Sequence, residues 1–189
     1  MERRAPEGID MSPAKIKEIE DAIRKLNETY EEYSTSLKGS DHRNFLELKI
    51  QAEIVQFELC SQMREILENE PSTFARKVAI KGFIHTVYEY DKTLRGNLIN
   101  RTTKLAYTRD MPELKKNLQA ISRAWREALR SVNKFKDLRD KATGHYDSDI
   151  SRQIDLIKSI DESCDFKVCE NFLSFNMDYL CILRDIGRG

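Results

Sequence analysis

Apolar residues recur along this chain at intervals of three and four, the spacing that gathers side chains on one face of an α-helix. Ser12-Pro13 supplies a cap and a first-turn proline, and Ile16, Ile19, Ile23, Leu26 and Tyr30 then predict a helix to about residue 37. Gly39-Ser40-Asp41 breaks it. Phe45, Leu48, Ala52, Val55, Leu59, Met63, Ile66 and Leu67 predict a second helix to about residue 69, forming an antiparallel hairpin with the first. Pro71-Ser72-Thr73 opens a third, whose apolar face runs through Val78, Ile80, Ile84, Val87, Leu94 and Leu98 and ends near residue 100. Residues 101–111 are expected to form a loop.

Asp110-Met111-Pro112-Glu113 then starts a long fourth helix through Leu114, Leu118, Ile121, Trp125, Leu129, Val132, Phe135 and Leu138. Arg139 extends its periodicity by one residue, and Gly144 serves as its stop. Asp147-Ser148-Asp149 caps a short fifth helix through Ile150, Ile154, Ile157 and Ile160. Val168, Phe172, Phe175, Tyr179, Ile182 and Ile186 step by 4, 3, 4, 3 and 4, and Leu173, Leu180 and Leu183 widen that stripe. Such a sixth helix belongs at the centre of a bundle or at a subunit interface. The expected architecture is all-α, an up-and-down helical bundle of about five to six helices. Residues 1–11 are expected to form a flexible N-terminal segment and residues 12–187 a single bundle domain.

Composition agrees with this pattern. Charged residues make up 34% of the chain and aromatics 8%, and seven Gly and four Pro favour long elements over many turns. No apolar run approaches the ~18 residues of a membrane span, and no apolar run follows the basic pair Arg3-Arg4 as in an export signal, so a cytoplasmic protein is expected. Cys60, Cys164, Cys169 and Cys181 show no Cys-x-x-Cys spacing and are read as core thiols in a reducing compartment. With three histidines and no phosphate-loop glycine pattern, neither a metal nor a cofactor is expected.

Charge changes the picture more. Residues 10–70 carry 8 basic and 14 acidic side chains, residues 92–136 carry 12 and 3, and residues 137–189 carry 7 and 11. The basic middle is suited to a polyanion, with Tyr107 and Trp125 as candidate stacking surfaces. It is equally suited to neutralising the acidic N-terminal helices within the fold or across a dimer.

The candidate chemistry lies where the fourth helix runs out. Arg139 and His145 stand there with five residues between them. A guanidinium is a permanently charged fork that matches phosphate, and an imidazole exchanges protons near neutrality. With 16 arginines and three histidines, chance alone yields roughly one such spacing, so the setting has to carry the signal. The bland alternative is an arginine and a histidine capping the last carbonyls of a helix. His42 and His85 are assigned to solvent or helix packing.

An all-helical chain of this size with Arg-polar-x4-His at the end of a long helix, followed by a terminal apolar helix, resembles the HEPN superfamily. The residues that carry the resemblance are Arg139, Asp140 in the polar position and His145, within the stretch from Leu138 to Asp147. It implies a metal-independent endoribonuclease of toxin or antiphage type, in which the RNA 2′-OH attacks the adjacent phosphorus. Arg139 would stabilise the developing charge and His145 would move a proton. Such chemistry benefits from both a base and an acid, and a homodimer would bring two copies of His145 and Arg139 together. Asp140 is the expected orienting group. Lys141, Arg130, Lys134, Arg101, Lys104 and Arg109 are expected to hold RNA. A neutralising antitoxin protein is a further candidate partner, and a non-catalytic helical module that binds RNA or protein is the alternative reading.

Overall fold

The computed structural model describes residues 13–128, 135–140 and 149–188, and among these the secondary structure is helical throughout. The elements are α1 (Pro13–Thr35), α2 (Asp41–Asn69), α3 (Thr73–Thr93), a π turn (Leu94–Leu98), α4 (Ile99–Thr108), α5 (Pro112–Ala128), α6 (Phe135–Leu138), α7 (Ile150–Lys158) and α8 (Glu162–Arg188). The all-α helical bundle expected from periodicity is what forms. The N-terminal segment 1–11 lies outside the described residues.

Local chemistry sets the helix ends. Gly39 adopts a φ of +79°, and Ser40 follows as the cap of α2, its hydroxyl accepting the Arg43 N–H at 3.1 Å. The Arg43 side chain turns back to the end of α1, donating to the carbonyls of Tyr33 and Ser36 while its guanidinium lies 4.0 Å from the Tyr33 ring centroid. Asp161 caps α8, accepting the N–H groups of Ser163 and Cys164, and Asp165 reaches back to the Asp161 N–H at 3.0 Å. Lys77 of α3 binds the final carbonyls around α7, Lys158 and Ile160, each at 2.7 Å.

One helix continues where a loop was expected. The chain from α3 passes through the π turn, where Ile99 N–H bonds to the Leu94 carbonyl, and remains helical to Thr108. The threonine-rich stretch that reads as loop is accommodated because Thr102, Thr103 and Thr108 return their hydroxyls to the carbonyls four residues back. Leu98, Thr102, Leu105 and Ala106 are buried on its inner face. The break is confined to residues 109–111, with Asp110 at φ 54°. The predicted fourth helix is seen as α5 and α6; residues 129–134 between them and the stop at Gly144 fall outside the described residues.

α8 occupies the centre. It begins six residues before the apolar stripe, at Glu162, and packs on α2, α3, α4 and α5. Its buried face includes Phe166, Cys169, Phe172, Phe175, Tyr179, Leu183 and Ile186, meeting Leu46, Leu48 and Leu59 of α2 and Phe83, Ile84 and Val87 of α3 in one core cluster. Near its end, Gly187 lies so close to Phe45 that a Cβ there would sit 2.7 Å from the ring. Cys169 is buried, and burial pushes its thiol pKa far up; Cys60 and Cys181 are half-buried. Cys164 is exposed in the first turn of α8, which corrects its assignment to the core.

Two buried polar side chains fix α8 against its neighbours. Asn176 donates to the Ala52 carbonyl at 3.0 Å and to Gln56 at 2.9 Å, and the Tyr179 hydroxyl lies 2.7 Å from Thr102 Oγ1. Because Thr102 donates to the Leu98 carbonyl, the tyrosine supplies the proton of that contact. Burial pushes the Tyr179 hydroxyl pKa up to about 12. Tyr179→Phe is expected to lower unfolding free energy by about 0.5–1.5 kcal/mol in urea titrations. Asp161 has the opposite perturbation: N–H donors at the α8 cap lower its carboxyl pKa to about 2. Its contribution is complete above the unfolded value of ~3.9 and is lost as pH falls through the folded one. Asp161→Ala is therefore expected to melt below wild type at pH 7, the difference closing between about pH 4 and pH 2 in thermal scans.

Candidate functional site

Arg139 and Asp140 follow directly on α6, in a π-helical turn. α6 itself is anchored by Phe135 and Leu138, both buried in the core, and packs against α3 and α7. This places Arg139 beside the outer edge of α3. Its Nε–H donates to Glu89 Oε1 at 2.5 Å, and Nη1–H donates to Asp140 Oδ1 at 2.6 Å. The arginine side chain is 35% exposed and its two acceptors 38% and 36%. Asp140, followed by Glu89, stabilises the charged guanidinium and raises its already high pKa. Asp140 thus bonds to Arg139, one of the two partners expected of an orienting group.

Glu89 is absent from any sequence motif, being 50 residues away on a different helix. The signal that points toward it is its position at the margin of the apolar stripe of α3, one residue before the buried Tyr90 and two before the buried Asp91. His85 lies one turn earlier on α3 and is half-buried. His42 is half-exposed and pairs with Glu32 at 3.0 Å, in keeping with a solvent-facing histidine.

Of the candidate RNA-binding residues, Arg101, Lys104 and Arg109 are described, and two of these three are engaged within the bundle. Arg101 pairs with Glu47 of α2 at 2.7 Å, so at this position the basic stretch neutralises an acidic helix. Arg109 donates to the Ile186 carbonyl at 2.5 Å and lies 5.4 Å from the Phe45 ring centroid, closing the C-terminal end of α8. Lys104 is exposed on α4, one turn before Tyr107, which is 81% exposed. Along α5, Arg123 and Arg126 are exposed and Lys116 pairs with Glu113. His145, Lys141, Arg130 and Lys134 lie outside the described residues.

Trp125 is corrected from a stacking surface to a core residue. It is 6% exposed and packs on Phe172 and Phe175 at centroid distances of 4.6 and 5.3 Å. Its indole N–H donates to Asp91 Oδ1 at 3.2 Å. Asp91 is fully buried and forms an ion pair with Arg95 at the start of the π turn. Burial raises the Asp91 pKa, against the opposing pull of Arg95 and Trp125.

Among the described residues, no three His, Cys, Asp or Glu converge on a metal-sized space, and no helix is long and apolar enough to cross a membrane. These features define a helical bundle bearing an arginine clamped by two carboxylates at its surface. No protein-family model matches the chain, and no curated protein or solved structure matches it.

Removing Arg95 would leave Asp91 buried with Trp125 as its remaining polar support. Arg95→Ala is expected to cost about 1–3 kcal/mol at neutral pH by chemical denaturation. A carboxyl whose folded pKa is raised loses stability as pH rises through its titration range, so the deficit should shrink as pH is lowered towards about 4.

Proposed function

We propose that the chain is a metal-independent endoribonuclease of toxin or antiphage type, acting as a homodimer in the cytoplasm. Arg139 stabilises charge on the scissile phosphate and His145 transfers the proton, with no protein nucleophile. The observation that carries this reading is the state of Arg139. It sits at the solvent edge of the bundle, one-third exposed, and is held by Glu89 and Asp140 instead of sweeping through solvent. A pre-oriented permanent cation is what stabilisation of a developing phosphorane charge requires. The exposed Lys104, Arg123 and Arg126 add positive surface for RNA, and an antitoxin protein would be the natural counterpart of such an activity.

A second reading is supported by the same geometry. Glu89 and Asp140 set two carboxylates against Arg139, which opposes attraction for phosphate and suits a non-catalytic helical module that binds a protein or RNA elsewhere. Incubation of the purified chain with single-stranded RNA in EDTA separates the two. The enzyme reading expects fragments ending in 2′,3′-cyclic phosphate. Arg139→Ala and His145→Ala should each slow cleavage by about 10²-fold or more, with helicity and oligomeric mass retained. Cleavage at wild-type rate by both variants, or RNA binding without cleavage by the wild type, removes the enzyme reading.

A further inference from the structure

Glu89 and Asp140 touch the same guanidinium but stand in different mechanical relations to it. Asp140 is the chain neighbour of Arg139 and belongs to the same turn, so the bond between them is local. Glu89 belongs to α3, whose Val87, Tyr90 and Asp91 are buried around it and whose Thr93 hydroxyl bonds to the Glu89 carbonyl at 3.1 Å. Its carboxylate is therefore carried by a core-anchored helix. The acceptor lies 2.5 Å from Nε, the one nitrogen inside the arginine side chain as opposed to at its tip. A carboxylate on Nε constrains both the plane and the direction of the guanidinium.

We propose that Glu89 is the positioning residue of the candidate site, aiming Arg139 from a helix that the motif does not include. The consequence for RNA cleavage rests on the ribonuclease reading, whereas the positioning itself belongs to the unliganded chain. Glu89 leaves the arginine charged, since a guanidinium is not deprotonated by such a partner. It does add a negative charge where RNA would approach. Orientation and repulsion thus come from one side chain, and they act on different kinetic parameters. Loss of orientation lowers kcat; loss of repulsion lowers KM.

The test uses the full chain with Glu89→Gln and Glu89→Ala. Because a partly exposed ion pair contributes little to stability, Glu89→Ala should keep wild-type helicity and melt within about 4 °C of wild type. With single-stranded RNA as substrate, Glu89→Ala should reduce kcat by about 10²-fold. Glu89→Gln, which retains an acceptor oxygen without the charge, should recover part of that loss while lowering KM several-fold. Independently of RNA, the Arg139 Nε–H resonance, assigned by its disappearance in Arg139→Lys, should exchange with water at least tenfold faster in Glu89→Ala. An Nε–H that exchanges equally fast in wild type and Glu89→Ala overturns the proposal, as does unchanged kcat in Glu89→Ala when the wild type cleaves. A wild type that fails to cleave removes the ribonuclease reading, and the exchange measurement then decides on Glu89 alone.

Discussion

The need to bury the broad apolar face of α8 organises this protein. Its inward-facing residues from Phe166 to Ile186 run the length of the helix, so one neighbour does not cover them, while Lys167, Asn171, Ser174 and Arg184 on the other face stay exposed. α2, α3, α4 and α5 do so together. Apolar packing alone tolerates sliding by a helical turn, about 5.4 Å, with modest loss. The bonds from Asn176 to Ala52 and Gln56, and from Tyr179 to Thr102, do not tolerate it, because a displaced helix would strand these groups in the core. Hydrophobic burial supplies the drive and these buried polar contacts select the register.

From α8 a set of contacts leads outward to α3, the helix that carries Glu89. Phe172 and Phe175 seat Trp125, whose indole N–H reaches Asp91 of α3. Asp91 is neutralised by Arg95 at the π turn, so the buried carboxylate is paired on two sides. Glu89 stands two residues earlier on the same helix, where it meets Arg139. The surface arginine is thus bonded to a helix that the core holds in place.

Most of the fold was legible because burial of helices leaves a period in the sequence. The starts of α1 and α2 followed from Ser12-Pro13 and Ser40-Asp41, and the centrality of α8 from its stripe of aromatic and branched residues. The helical course of residues 101–108 was obscured by three threonines, whose hydroxyls satisfy local carbonyls in a way composition does not reveal. Trp125 was misjudged because an aromatic beside cations reads the same on a stacking surface and in a core; its position on the periodic face was the better guide. At the candidate site, Arg139 and Asp140 announced themselves through proximity in sequence. Glu89 did not, since pairing across 50 residues is a property of packing.

The electrostatics of that site bear directly on what Arg139 can do. Attraction for an RNA ground state depends on net local charge, and the two carboxylates beside the guanidinium oppose it. Acceleration depends instead on whether interactions strengthen as charge accumulates on the phosphate. A directed guanidinium can gain in that step even where overall attraction is weak, because its dipolar orientation needs no rearrangement when the charge develops. Weak initial binding and strong differential stabilisation are therefore compatible at the same arginine, provided that RNA affinity is supplied by basic residues elsewhere. Lys104, Arg123 and Arg126 are exposed, while Arg101 and Arg109 are committed to holding the bundle together.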